Sequence, residues 1–115
     1  MMDDLGKARQ EQQAAAAGSA WLIHNGQRVD IDASPFLMGK YNTALQLNYA
    51  IRDNNRVSRS HATIFREQSG YMLRDNQSRN GTYLNGEPLV PMQPVPLKDQ
   101  DEIRLYDEIL TFHQE

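Results

Sequence analysis

The stretch HATIFREQSGYMLRD, residues 61–75, decides the fold. Strand-forming residues fill His61 to Arg66 and Tyr71 to Asp75, and the polar run Glu67 to Gly70 between them reads as a four-residue turn. With that turn Arg66 faces Tyr71 and Ile64 faces Leu73, which puts both aliphatic side chains on one buried face. Such a hairpin has an open end. The segments that leave it, residues 56–60 before His61 and residues 76–81 after Asp75, must therefore be neighbours.

Outward from this hairpin the same pattern repeats. Short runs at Trp21 to His24, Gln27 to Ile31, Phe36 to Lys40, Leu47 to Ile51, Thr82 to Asn85, Ile103 to Tyr106 and Ile109 to His113 are separated by turn residues. That is the signature of an all-β chain and not of alternating strands and helices. Asn25-Gly26 is a two-residue hairpin turn, because both residues tolerate positive φ. If Asp107-Glu108 turn the last hairpin, Leu105 opposes Leu110, Ile103 opposes Phe112, and Arg104 and Thr111 face solvent. Pro88, Pro91, Pro94 and Pro96 cannot donate to a ladder and mark an extended surface connection.

The expected architecture is an antiparallel β-sandwich of two twisted sheets with short strands, spanning residues 20–115. Residues 1–19 read as a tail or linker. Asp3 to Ala17 is rich in the helix formers Ala, Gln, Glu and Lys but has no apolar stripe to dock, so a flexible or partly helical segment is expected.

Composition narrows the function. The chain has 115 residues and 39% hydrophobic content, enough for one core. A net charge of −3 with both signs interspersed argues against a nucleic-acid partner. The absence of cysteine excludes disulfides, a thiolate nucleophile and a cysteine-based zinc site, and makes the cytoplasm the default location. No run reaches the roughly 20 apolar residues of a membrane span, and Asp3 and Asp4 stand where a secretory signal carries positive charge. His24, His61 and His113 lack the close spacing of metal ligands, so no metal is expected. Gly39-Lys40 is too short a glycine run for a nucleotide loop, and no other cofactor motif is present. Ser58 or Ser60 could be combined with His61 and Asp75 as a triad, but no strained nucleophile elbow accompanies them. Recognition without catalysis is the expectation.

The open end of the hairpin carries the chemistry. Its register sets Ser58 near Arg79, with Arg56 two residues further out on the same rim. Asn76-Gln77-Ser78-Arg79-Asn80-Gly81 thus lies beside Arg56-Val57-Ser58-Arg59-Ser60. Together they offer three guanidinium groups, several hydroxyls and an amide, and Gly81 allows a close backbone approach. A phosphomonoester carries about −1.5 to −2 charges and three acceptor oxygens, which Arg matches with a planar donor fork; carboxylates are second best. An Asn can also clamp a ligand's backbone by donating and accepting one bond each. The set fits a phosphate on an extended peptide.

Gly39-Lys40, Ser58-Arg59-Ser60-His61 and Ser78-Arg79-Asn80-Gly81-Thr82, in this order and spacing, resemble the motif set of the forkhead-associated (FHA) domain. Asn85-Gly86 and Leu97-Lys98-Asp99-Gln100-Asp101-Glu102-Ile103 are similar to its later turn and strand motifs, and the resemblance covers about Trp21 to His113. It implies a module that binds phosphothreonine on a partner protein modified by a Ser/Thr kinase. By the same resemblance Arg56 and Ser58 contact the phosphate and Arg79 lines the site from the opposite loop. Asn80 holds the peptide backbone, and Gly39 lets a strand end turn tightly. Lys40 stands where the family usually has Arg, keeping the charge without the fork. His61 is a scaffold residue whose ring joins the two loops. Residues around the phosphothreonine are read by loops of variable length, here Tyr41 to Gln46 and Arg52 to Asn55. Gln100 and Tyr106 stand where the family commonly has Gly, and both are expected to lie away from the phosphate. The alternative is a phosphate-independent assembly domain that docks through a sheet face or the Pro88 to Pro96 segment.

Overall fold

The structure, a computed structural model, describes residues 19–115; the expected tail falls outside the described residues save for its last residue. The described residues form eleven strands, in chain order: β1 Ala20–His24, β2 Gln27–Asp30, β3 Phe36–Lys40, β4 Tyr49–Ile51, β5 Ala62–Glu67, β6 Gly70–Asp75, β7 Thr82–Leu84, β8 Glu87–Pro88, β9 Val95–Pro96, β10 Glu102–Leu105 and β11 Glu108–Gln114. They form two sheets, one of order β9-β6-β5-β3-β4 and one of order β2-β1-β11-β10-β7-β8. Among the described residues there is no helix, and so none long and apolar enough to cross a membrane.

The sheets face each other across an apolar layer fed by period-two alternation. Met38, Ile64 and Leu73 from one sheet and Leu22, Ile103, Leu105, Leu110 and Phe112 from the other are fully buried. Tyr71 meets Phe112 edge-on across the layer, ring centroids 5.6 Å apart. A Leu-to-Ala change in such a layer costs about 2–5 kcal/mol, so these residues hold the frame on which the loops are mounted.

In the β5–β6 hairpin Ile64 opposes Leu73 and Arg66 opposes Tyr71, as expected; the turn is tighter, because Glu67 pairs with Gly70. The first hairpin also has its expected turn, with Asn25 at φ 52° and Gly26 at φ 77°. Three expectations change. The last hairpin slips by two: Ile103 opposes Leu110 and Leu105 opposes Glu108, so Tyr106-Asp107 make the turn, with Tyr106 at φ 56°. A slip of two preserves face parity, and the same side chains remain buried. The sandwich is not wholly antiparallel, since β4 runs parallel to β3. Nor is the proline-rich stretch only a connection: its ends form β8 and β9, the outermost strands of the two sheets, where an absent N–H can face solvent.

Candidate functional site

The site lies where the end of β3, the approach to β5 and the exit from β6 converge. Gly39 makes the first contact possible. A Cβ there would stand 1.9 Å from the carbonyl oxygen of Arg59 and 2.9 Å from that of Ser58, so a side chain would displace the loop backbone. In its absence the loop lies directly on the strand, and Lys40 N–H donates to Ser58 O at 2.9 Å.

His61 joins this loop to the next. Its Nδ1 accepts the backbone N–H of Ser58 at 3.0 Å and its Nε2 lies 2.9 Å from Gly81 O, an acceptor, so the ring is the neutral Nε2–H tautomer. Burial lowers its pKa below the ordinary 6.5, opposed by the Gly81 carbonyl and the Asp75 carboxylate. Both nitrogens are occupied by backbone, and neither meets a serine hydroxyl. Asp75 is turned to other partners: it accepts from Ser78 Oγ at 2.6 Å, Ser78 N at 3.2 Å and Thr82 Oγ1 at 2.7 Å. Ser78 Oγ in turn accepts Gly81 N–H at 2.9 Å, and Gly81 adopts φ 90°. The loop 76–81 is thus wound around one buried carboxylate, a role that a strand-end Asp does not announce.

Between the two loops opens a cleft of about 410 Å3 lined by Lys40, Asn55, Arg56, Val57, Ser58, Arg59 and Arg79. All four residues expected to meet phosphate line it. Ser58 Oγ accepts the backbone N–H of Arg79 at 3.0 Å, which leaves its own proton to donate. Asn80 borders the cleft without lining it, its Nδ2 donating to Arg56 O at 2.8 Å. His61, Gly39 and Gly81 lie behind the lining, as supports.

Two neighbours were not legible in the sequence. Asn54 ties the Arg56 loop to the last hairpin, its Nδ2 donating to Asp107 Oδ1 at 2.8 Å and Glu108 Oε2 at 2.7 Å while its Oδ1 accepts Arg56 N–H at 3.1 Å. Tyr106 corrects an expectation: it is beside the cleft, not away from it. Arg56 Nη1 donates to its hydroxyl at 2.9 Å, and the guanidinium lies 5.4 Å from its ring centroid. The slip in the last hairpin brings Tyr106 to the turn and so to this corner. Among the described residues no group of three His, Asp or Glu side chains could hold a metal ion. The chemistry on offer is anion binding by guanidinium, ammonium, hydroxyl and backbone donors.

Residues 37–106, from β3 to the last turn, match the family model of the FHA domain. The chain belongs to the FHA family. This FHA domain is 31% identical over 90 residues to the transcriptional regulatory protein EmbR of Mycobacterium tuberculosis, an alignment covering 78% of the chain and 22% of EmbR. The chain thus corresponds to a small part of that relative. The solved structure of Mycobacterium tuberculosis EmbR in complex with a low-affinity phosphopeptide superposes with a TM-score of 0.76 at 27% identity, covering 85% of this chain and 25% of that one. The FHA domain of MEK1 in complex with a phosphothreonine peptide of HOP1 gives 0.68 at 28% identity, covering 85% and 98%.

Proposed function

We propose that this FHA domain binds a phosphothreonine-containing segment of a partner protein after a Ser/Thr kinase has modified it. The recognition unit is residues 20–115. It works in the cytoplasm and leaves the phosphate unhydrolysed. The observation that carries the reading is the placement of Ser58: its oxygen is held by Arg79 N–H at 3.0 Å, beside the cleft cations Lys40, Arg56 and Arg79. An O–H so oriented donates to a phosphate oxygen while the cations balance its charge. Asn80 keeps an amide oxygen for the peptide backbone as its Nδ2 secures the Arg56 carbonyl. The phosphopeptide complexes of EmbR and of the MEK1 FHA domain support the reading by family membership.

Calorimetric titration with a degenerate phosphothreonine peptide library and its unphosphorylated counterpart tests it. Binding is expected only to the phosphorylated set. Ser58→Ala removes a hydrogen bond to a charged group, about 1.5–3 kcal/mol, and should weaken it roughly tenfold to a hundredfold. Equal binding of both sets would sink the reading. One observation favours phosphate-independent assembly instead: Val90 and Met92, in the connection between β8 and β9, are 60% and 48% exposed. That alternative expects Arg56→Ala to leave partner binding intact and Val90→Asp to abolish it.

A further inference from the structure

The connection between β8 and β9 lies in a run of ten uncharged residues, Pro88 to Leu97, in a chain of which 23% of residues are charged. Leu89 and Val95 pack against the core, while Val90 to Pro94 between them are exposed. Val90 is the most exposed large apolar side chain among the described residues. Single apolar residues on a surface are ordinary. This one shares a braced turn with a second. Gln93 N–H closes the turn on Val90 O at 3.1 Å, Pro91 fixes φ at the second position, and Met92 at the third has φ 68°. Glycine is the usual residue where a turn needs positive φ, and a side chain held there is strained. Burial does not offset that strain, because Met92 is 48% exposed.

The turn is mounted beside the phosphate cleft. Met92 N–H donates to Asp75 O at 2.8 Å and Leu89 N–H to Thr82 O at 2.9 Å, so the turn is fastened to both ends of the loop 76–81. The same loop carries Arg79, whose N–H holds Ser58 Oγ at 3.0 Å. Asp75 precedes Arg79 by four residues, a span of at most about 14 Å. About six residues of extended peptide therefore reach from the phosphate to the turn.

We infer that Val90 and Met92 form a second docking point for the phosphorylated partner, taking an apolar side chain about six residues from its phosphothreonine. The inference rests on the phosphothreonine reading and extends the recognised segment beyond the cleft. One partner meets both points because turn and cleft share the loop 76–81. They ask for different chemistry: the cleft is lined by four cations, and the turn is uncharged. A turn already closed by its own backbone loses little freedom on binding, and the flexible thioether of Met92 adapts to apolar side chains of different shape. The exposure of Val90 and Met92 is then compatible with phosphate dependence.

The test uses a short phosphothreonine pool with three randomised residues on each side, and pools extended by six residues at either the amino or the carboxyl end. Each extension is made in an apolar form drawn from Leu, Ile, Val, Met and Phe and a polar form drawn from Ser, Gly and Gln, with unphosphorylated counterparts. Fluorescence anisotropy should place one apolar extension about tenfold tighter than its polar form, the size of one buried side chain. Val90→Ser and Met92→Gly should each bring that ratio toward one and leave the short pool unchanged within about twofold. Met92→Gly should also leave the urea midpoint of unfolding unchanged or raised, whereas a residue kept for structure would lower it. Arg56→Ala should weaken every pool. Ratios near one at both ends, a ratio untouched by both variants, or a lowered midpoint in Met92→Gly overturns the inference while phosphate-dependent binding stands. An apolar preference that persists without phosphate and survives Arg56→Ala would assign the turn to phosphate-independent docking, and sedimentation showing a dimer lost in Val90→Ser would assign it to a second copy; either overturns the inference. If no pool binds better than its unphosphorylated form, the phosphothreonine reading fails and this one with it.

Discussion

The two loops that form the cleft are held by opposite means. The loop 76–81 anchors on itself: Asp75 binds Ser78 and Thr82, and Ser78 binds Gly81, all within one short stretch of chain. The loop before His61 is docked at Ser58 by Lys40 N–H and the His61 ring, but its outer half borrows anchors from the far end of the sequence, with Asn54 on Asp107 and Glu108 and Arg56 on Tyr106. A locally closed loop orders as soon as its hairpin forms, because little chain entropy separates the partners. A loop tied to residues some 50 positions away is shaped only once the last hairpin is in place. One rim of the cleft is thus intrinsic to the β5–β6 hairpin, and the other reports on the whole sandwich.

Breaking the local anchor should have the largest effect. Asp75→Ala strands two hydroxyls and a backbone N–H in a site where Asp75 is 1% exposed, and at about 1–3 kcal/mol for each unsatisfied group a loss near 4 kcal/mol is expected. Urea unfolding measures the loss, and hydrogen exchange should show the 76–81 amides unprotected; a stability change below about 1 kcal/mol would mean the loop does not depend on its carboxylate. Asn54→Ala acts on the borrowed rim and should cost about 1 kcal/mol, since its partners Asp107 and Glu108 can turn to water or, for Glu108, stay on His24. Chemical shifts should move at Arg56 and in the last turn together while Ser78 to Gly81 stay in place. Movement of both loops would erase the distinction between them.

The smallest effect joins the rims. His61 has a lowered pKa, so below pH 6.5 the unfolded chain takes up a proton more readily than the folded one. Stability is therefore full above that value and declines as the pH falls below it, and the decline is tempered because Gly81 O and Asp75 oppose the effect of burial. Protonation would also turn Nδ1 from acceptor to donor and oppose the Ser58 N–H. Unfolding free energies measured from pH 7.5 to 5 should show this slope, and a slope of opposite sign would mean that the folded ring holds a proton more tightly than the unfolded one.

The β5–β6 register was readable because a polar turn of fixed length leaves one pairing that buries both Ile64 and Leu73. The last hairpin was readable in parity and not in register, since a turn at Asp107-Glu108 buries the same faces as the actual turn at Tyr106-Asp107. The deciding fact is a left-handed backbone at Tyr106, φ 56°, which no local pattern in a tyrosine signals. The charged rim could be read from that first register, because Ser58, Arg56 and Arg79 leave the same hairpin. What secures it could not. The Asn54 and Tyr106 contacts are long-range, and their partners are identifiable only after both sheets have closed. Asp75 left a fainter trace in its spacing to Ser78, three residues on, which suits a carboxylate capping a turn.

Ser58 gives the cleft a property that its list of charges does not convey. A hydroxyl on a protein surface is ordinarily a free rotor, and a ligand that uses it must stop the rotation at some entropic cost. Here the lone pair is already engaged by Arg79 and the backbone N–H is docked on His61, so the rotor is braked before any partner arrives. The donor also belongs to neither rim alone, since one loop carries the oxygen and the other sets its orientation. Any disturbance that slides the loops apart would therefore release the brake without touching a single charge, a way to silence the domain that charge counting would never detect.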